Sequence, residues 1–233
     1  MSRPAYTLSP ELRDTLLRAT EEFVTEYMAS YDPSHDIAHI NRVVALSQRL
    51  LLASPHPLDP FITHLSALLH DVGDSKYTGE GASLTPVADF LLKNSAPSSL
   101  AVSVQTIVDH VSFSHEIKNL QKVQDVLKVY PELGVVQDAD RLDALGAVGV
   151  ARCFAFGAAK KPERGLQGCV DHFEEKLLKL EGMLKTEEGK RLGRERARRI
   201  KEFEGWWKEE VEGVTEAGRK WEVEDTYAGW ENI

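Results

Sequence analysis

Histidine–aspartate pairs occur twice in the chain, at His35–Asp36 and at His70–Asp71, and only the context of the second pair indicates chemistry. His70–Asp71 closes the apolar segment LSALLHDVGD, where Gly73 ends the helical pattern. Adjacent residues do not share one face of a regular helix, but a relaxed last turn allows both side chains to reach one ion. The second pair is therefore a candidate for two ligands of a metal site.

Two more potential ligands lie beside apolar helical segments. His39 stands in HINRV near the start of one helix, and Asp140 stands in QDADRLDALGAVG at the start of a long apolar segment. A carboxylate buried among such helices needs a partner, because an unpaired buried charge is strongly unfavourable. A divalent ion is the simplest partner, and two imidazoles with two carboxylates suit Mn, Mg, Co, Fe or Zn, with water completing the coordination.

The elements that must position these residues are predicted to be helices, because apolar residues recur at spacings of three and four along most of the chain. No clear alternating strand pattern occurs, so the predicted class is all-α. Asp59-Pro60 and Thr85-Pro86 are typical helix starts. Helices are predicted over 37–51, 61–69, 101–111, 120–129, 134–158, 169–184 and 187–212, with linkers over 54–58, 77–83 and 160–168.

Residues 1–212 are predicted to form a single helical domain that ends in the amphipathic surface helix 187–212. Residues 213–233 form a tail with Trp221, Tyr227 and Trp230. Aromatic residues in a tail usually dock on the body of the protein or on a neighbouring subunit, so a homodimer is one expectation.

Composition excludes several classes of function. The 233 residues carry 28 basic and 37 acidic side chains, a net charge of −9, which argues against nucleic acid or an anionic membrane as the main partner. The start of the sequence lacks the apolar core of a signal peptide, so a soluble, cytoplasmic protein is expected. The two cysteines, Cys153 and Cys169, form no CxxC pair, which argues against a structural zinc or a disulfide framework.

The motifs together resemble those of the HD-domain metal-dependent phosphohydrolases. The resemblance rests on the ordered H…HD…D residues and on the segments SHDIAHINRV, ALLHDVGDSKY, IVDHVSFS and DADRLDALGAVGVARCFAFG, and it spans roughly residues 20–212. The chain is most similar to the small pyrophosphohydrolase-like branch of that superfamily. The resemblance implies an all-helical HD bundle and one divalent ion, with Mn, Co, Mg, Ni, Fe and Zn as the candidates.

By that resemblance His39, His70, Asp71 and Asp140 are the metal ligands. Asp74 occupies the acidic position that follows the HD pair, and there it would orient or deprotonate the metal-bound water. Lys76 is placed with Asp74 as a catalytic residue. The residues expected to contact the phosphorylated substrate are Arg42, Lys76, His110, Arg141 and Arg152.

The implied reaction is hydrolysis of a phosphate ester or anhydride of a nucleotide-like small molecule by attack of metal-bound water. Two alternatives remain open. His110 and His115 lie between the HD pair and the last aspartate, as extra histidines do in di-iron oxygenases of this fold, and a catalytically silent nucleotide-binding module would keep the same ligands. His35, His56, His64 and His172 are predicted to be structural.

Overall fold

The computed structural model describes residue 3, residues 5–73 and residues 83–217, and within these residues it contains helices and no strands. The predicted all-α class is confirmed. The helices are α1 (Pro10–Met28), α2 (Ile37–Leu52), α3 (Pro60–Leu69), α4 (Pro86–Lys93), α5 (Ser98–Val108), α6 (Phe113–Lys118), α7 (Leu120–Val129), α8 (Glu132–Asp143), α9 (Gly146–Lys160), α10 (Gly165–His172) and α11 (Glu187–Ala217). The predicted tail from residue 218 onward, with Trp221, Tyr227 and Trp230, lies outside the described residues, as does linker 77–83 apart from residue 83.

Side-chain caps fix the starts of three helices. Ser9 accepts a hydrogen bond from the amide of Leu12 at the start of α1, and Asp36 accepts one from His39 at the start of α2. Asp59 caps α3 just before Pro60, as predicted. At α4 the helix begins where predicted, but Thr85 makes no side-chain cap bond.

The predicted helix 134–158 is not one helix, which corrects the prediction. It divides into α8 and α9, whose axes differ by 73°. The break falls at Leu145–Gly146, where Gly146 adopts a φ of +74°, a conformation that side-chain-bearing residues rarely accept. Because of this bend, the chain changes direction soon after Asp143, and α9 does not continue the axis of α8.

The predicted helix 169–184 is also incorrect. The chain forms α10, which reaches back into the predicted linker 160–168, then a π-helical turn at Phe173–Leu177 and a 3₁₀ segment at Leu178–Met183. Single π-helical turns are rare and occur frequently at functional sites.

Three hydrophobic clusters make up the core. The first joins helices α1 to α5 with α7 and α8, the second joins α2, α3 and α8 to the start of α11, and the third joins α9, α10 and the following turns to α11. The second cluster packs α2, α3 and α8 against one another through Val43, Ala67 and Ala139. These three helices carry the predicted metal ligands. No single helix in the described part of the chain is long and apolar enough to cross a membrane, and only the bent pair α8–α9 passes that test together.

Candidate metal centre and its cavity

Three helices bring the predicted ligands to one point. His39 lies in the first turn of α2, His70 and Asp71 follow the last residue of α3, and Asp140 lies on α8. The Nε2 atoms of His39 and His70 are 3.1 Å apart, and Asp71 oxygens lie 3.3 Å and 3.4 Å from them. An oxygen of Asp140 lies 3.7 Å from His39 Nε2 and 3.9 Å from His70 Nε2.

Gly73 ends the turn that exposes the HD pair to this point. Its φ is +84°, and a Cβ atom there would come within 2.7 Å of Pro86. The position therefore requires glycine on both grounds. The amide of Gly73 donates to the hydroxyl of Tyr27, which ties the turn to α1.

Hydrogen bonds at the far side of each imidazole determine which nitrogen faces the centre. His39 Nδ1 lies 2.8 Å from an oxygen of Asp143, and His70 Nδ1 lies 2.8 Å from the carbonyl oxygen of Ala67. Both oxygens can only accept, so each Nδ1 donates and Nε2 is the nitrogen that each ring turns toward the centre. Two such nitrogens 3.1 Å apart favour a cation between them.

The donor set fits a divalent metal. In the described part of the chain, the one group of three His, Cys, Asp or Glu side chains with ligand atoms within 4.8 Å of one another is His39, His70 and Asp71. Asp71 Oδ2 is buried and makes no hydrogen bond in this part of the chain. Burial opposes ionisation of Asp71, but the imidazoles of His70 and His39 outweigh it and hold the pKa of Asp71 below its usual range. Nitrogens that bind one ion at about 2.1 Å each are roughly 3 Å apart at a right angle, which matches the two Nε2 atoms.

Asp143 supports the candidate centre and was not assigned by sequence reasoning. It accepts from His39 and from Arg42, whose Nε lies 2.7 Å from Asp143 Oδ1, and Arg152 Nη1 lies 3.2 Å from Oδ2. Burial alone would raise the pKa of Asp143, but the hydrogen bonds from His39 and Arg42 hold it well below its usual range. The signal was present in DADRLD, since Asp143 follows Asp140 by three residues and shares its helix face.

A cavity of about 550 Å³ opens on the metal centre. His70, Asp71 and Asp140 lie at the metal end, and a separate set of cationic side chains on its lining comprises Lys118, Arg152 and Lys176. The apolar part of the lining comprises Val108, Val111, Phe113, Phe156, Leu177 and Leu180. Its size and its mixture of apolar walls with a few polar groups are typical of small-molecule sites.

Two of the predicted substrate contacts are engaged elsewhere. Arg42 pairs with Asp143 and is absent from the described lining of the cavity, so the structure places it behind His39. Arg141 reaches the lining but is only 2 % exposed, and its guanidinium donates to Glu116 and to the carbonyl of Met183. Arg152 lines the cavity, and its Nε donates to the carbonyl of Ser34 at 2.7 Å.

Of the other histidines, His110 was predicted to contact the substrate, but it is absent from the described lining of the cavity. His110 is buried behind the wall, where Nδ1 contacts the carbonyl of Thr106, and its neighbour His115 lines the cavity instead. His35 and His172, predicted to be structural, also line the cavity. The rings of His110 and His115 are 4.8 Å apart, yet neither belongs to a three-ligand group in the described part of the chain.

Asp74 and Lys76 lie outside the described residues, so their roles stay predictions.

Comparisons with known proteins found a matching family and similar solved structures. The HD domain family matches residues 36–145. Protein YpgQ of Bacillus subtilis is 32% identical over 197 residues, which are 82% of this chain and 92% of YpgQ. The crystal structure of YpgQ in complex with ADP shares 29% identity and a TM-score of 0.67, covering 86% of this chain and 99% of that one. A structure from Lactobacillus plantarum has a TM-score of 0.72 at 26% identity, covering 89% of this chain and all (100%) of that one. An HD-superfamily hydrolase from Bacillus thuringiensis has a TM-score of 0.57 at 31% identity, with 85% and 97% covered.

Proposed function

This chain belongs to the HD-domain superfamily, and from that membership we propose that it is a metal-dependent phosphohydrolase acting on a phosphate ester or anhydride of a nucleotide-like small molecule. The observation that carries the proposal is one cavity that joins His70, Asp71 and Asp140 to cationic side chains. The carboxylates alone would repel a phosphate. A site with acidic residues at one end and Lys118, Arg152 and Lys176 on its walls suits a cation and a phosphorylated substrate together.

The metal would be held by His39, His70, Asp71 and Asp140. A divalent ion in such a site lowers the pKa of bound water and offsets negative charge on phosphoryl oxygens. The chain's own residues supply the remaining functions. Asp143 and the carbonyl of Ala67 hold the two imidazoles with Nε2 inward, so the ligand atoms need no rearrangement before binding.

The substrate would be oriented by the cavity walls. Lys118, Arg152 and Lys176 attract and hold its anionic end, and the apolar side chains around Phe113 and Leu177 cover an uncharged part such as a base. YpgQ crystallised with ADP, and this supports a nucleotide as the ligand class. Asp74 is proposed to accept the proton of the attacking water, and Lys76 to contact a phosphate oxygen.

The test is phosphate or pyrophosphate release from a panel of nucleoside mono-, di- and triphosphates after chelation and addition of Mn, Co, Ni or Mg. We expect turnover to stop with the chelator and to return with the ion. His70→Ala should lose both bound metal and turnover. His56→Ala, at an exposed position outside the described lining of the cavity, is the matched control and should keep both.

Three results would contradict the proposal. Nucleotide binding without turnover under every ion would favour a silent binding module. Two bound irons with oxygen consumption would favour the oxygenase. Full metal content and full activity in His70→Ala would contradict the assignment of His70 as a metal ligand.

A further inference from the structure

Helix α6 forms one wall of the cavity but has little apolar attachment to the core. Four of its six residues line the cavity, namely Phe113, Ser114, His115 and Lys118. Phe113, at its first residue, packs partly against the third core cluster, and Ile117 is 59% exposed. The only buried residue of α6 is a carboxylate, Glu116.

Glu116 is held by three donors from outside α6. Arg141 Nη2 donates to its carboxylate, Gln137 Nε2 lies 3.2 Å from Oε2, and Lys185 Nζ lies 3.1 Å from Oε1. Gln137 and Arg141 belong to α8, and Lys185 follows the 3₁₀ segment. Glu116, Gln137, Arg141 and Lys185 are here called the Glu116 cluster.

The cluster also binds two segments outside α6, namely the residues before this helix and the 3₁₀ segment. Gln137 Nε2 donates to the carbonyl of His110, which precedes α6, at 2.7 Å. Arg141 Nη1 and Lys185 Nζ donate to the carbonyl of Met183 at 2.9 Å and 3.1 Å, so the 3₁₀ segment is joined to the same charges. Charged hydrogen bonds in a buried setting are stronger than neutral ones and have a defined geometry.

We propose that Glu116 is a positioning residue for substrate binding, because it ties the α6 wall to the helix that carries the metal ligand Asp140. Arg141 is the next residue after Asp140, so one turn of α8 holds both the ligand and the attachment of the wall. Glu116 itself does not line the cavity in the described part of the chain. Its effect on the substrate passes through His115 and Lys118. This inference rests on the function proposed above.

Glu116→Gln tests the proposal, because an amide of the same size loses the charge and turns an NH₂ group toward donors. Displacement of a binding group by about 1 Å can cost up to roughly 10²-fold, so we expect the Kd for ADP and the KM of the nucleotide to rise by about 10- to 100-fold. The kcat and the affinity for Mn²⁺ should change by less than about threefold, since the metal ligands stay in place. Amide hydrogen exchange in residues 113–118 should become faster.

Two further variants make the result decisive. Lys185→Gln keeps the Glu116–Arg141 pair, so it should raise the Kd for ADP, the KM and the exchange rate of residues 113–118 by a smaller amount. It replaces Glu116→Gln as the test if that variant does not fold. Glu163→Gln, at an exposed position outside the described lining of the cavity, makes the same chemical change and should alter nothing. A merely structural role would lower the thermal midpoint and the active fraction with the Kd for ADP unchanged, and that result overturns the proposal.

The failure of the function proposed above is distinguishable from the failure of this inference. If the wild-type protein does not bind ADP, the proposed nucleotide function falls, and hydrogen exchange alone decides whether Glu116 holds α6. Unchanged exchange over 113–118 in both variants overturns the positioning role, whatever the ligand.

Discussion

Asp143 decides which nitrogen of His39 is available to a metal. Its carboxylate accepts a hydrogen bond from Nδ1 of His39, and Arg42 and Arg152 lie beside it. The two guanidinium groups offset its charge and fix its orientation. Without that carboxylate, two positive groups would remain beside an imidazole that must bind a cation.

Asp143→Asn is expected to weaken metal binding by about 10- to 100-fold, the usual cost of losing such a supporting carboxylate. Calorimetric titration with Mn²⁺ measures this directly. Asp125→Asn, on the exposed face of α7, is the control and should bind as the wild type does. Equal affinity in Asp143→Asn and wild type would show that the ring orientation of His39 does not depend on Asp143.

The residues that meet at the candidate centre could be predicted from sequence because they lie in ordered motifs, but their supporting pairs could not. Arg42 and Arg141 were expected to contact phosphate, since a basic residue beside a ligand motif is a natural anion contact. Their acidic partners are 101 and 25 positions away along the chain, and only the fold brings them together. The acidic partner that the fold supplies thus decided the role of each arginine.

At the scale of elements, the segment after α10 shapes the second wall of the cavity. The π-helical turn and the 3₁₀ segment present Lys176, Leu177 and Leu180 to the cavity. Lys176 Nζ lies 5.3 Å from the centroid of the Phe113 ring, so this segment meets α6 across the site. A regular α-helix over 169–184 has a different number of residues per turn, so it would point these three side chains in other directions.

Lys176→Gln should raise the KM for a nucleotide by about three- to tenfold with a smaller change in kcat, because a cation that holds phosphate in both the ground and transition states contributes mainly to binding. Steady-state kinetics with the nucleotide found in the panel measures it. Lys179→Gln changes a neighbouring exposed lysine outside the described lining and should leave the KM unaltered. A similar rise in both variants would indicate general charge attraction rather than contact.

A helix could be predicted where a local sequence signal determines its start or end. The Asp59-Pro60 cap fixed α3, whereas α1 was not predicted although Ser9-Pro10 gives the same signal. The bend at Gly146 could not be predicted, since periodicity over 134–158 is compatible with one helix or two. The π-helical turn has no sequence signature of its own, because it depends on packing against α9 and α11.

At the scale of the whole molecule, the Glu116 cluster links segments that are distant along the chain. It joins α6 to α8 and to the segment that leads into α11, and Arg141 within it is almost fully buried. Removing one partner of a buried ion pair leaves the other charge uncompensated, which typically costs about 3–5 kcal/mol. The same pair that positions the wall is therefore expected to contribute to global stability.

That contribution should depend on pH with a definite sign. Burial opposes ionisation of Glu116, but Arg141 and Lys185 outweigh it and hold its pKa below the usual 4.5. A carboxylate with a depressed pKa in the folded state stabilises the protein above its unfolded pKa, and the benefit is lost as the pH falls through the folded value. The difference in unfolding free energy between wild type and Glu116→Gln should thus be constant above about pH 5.5 and shrink below about pH 4.5.

Urea unfolding followed by circular dichroism at a series of pH values measures this difference, with Glu163→Gln as a control that stays close to wild type throughout. Because every other carboxylate titrates equally in wild type and variant, subtracting the two curves isolates Glu116 and its partners. A difference that persists unchanged at pH 3.5 would mean that shape or hydrogen bonding, and not charge, is what Glu116 contributes. A difference absent at pH 7 would mean that the buried arginine finds another partner when Glu116 is neutral.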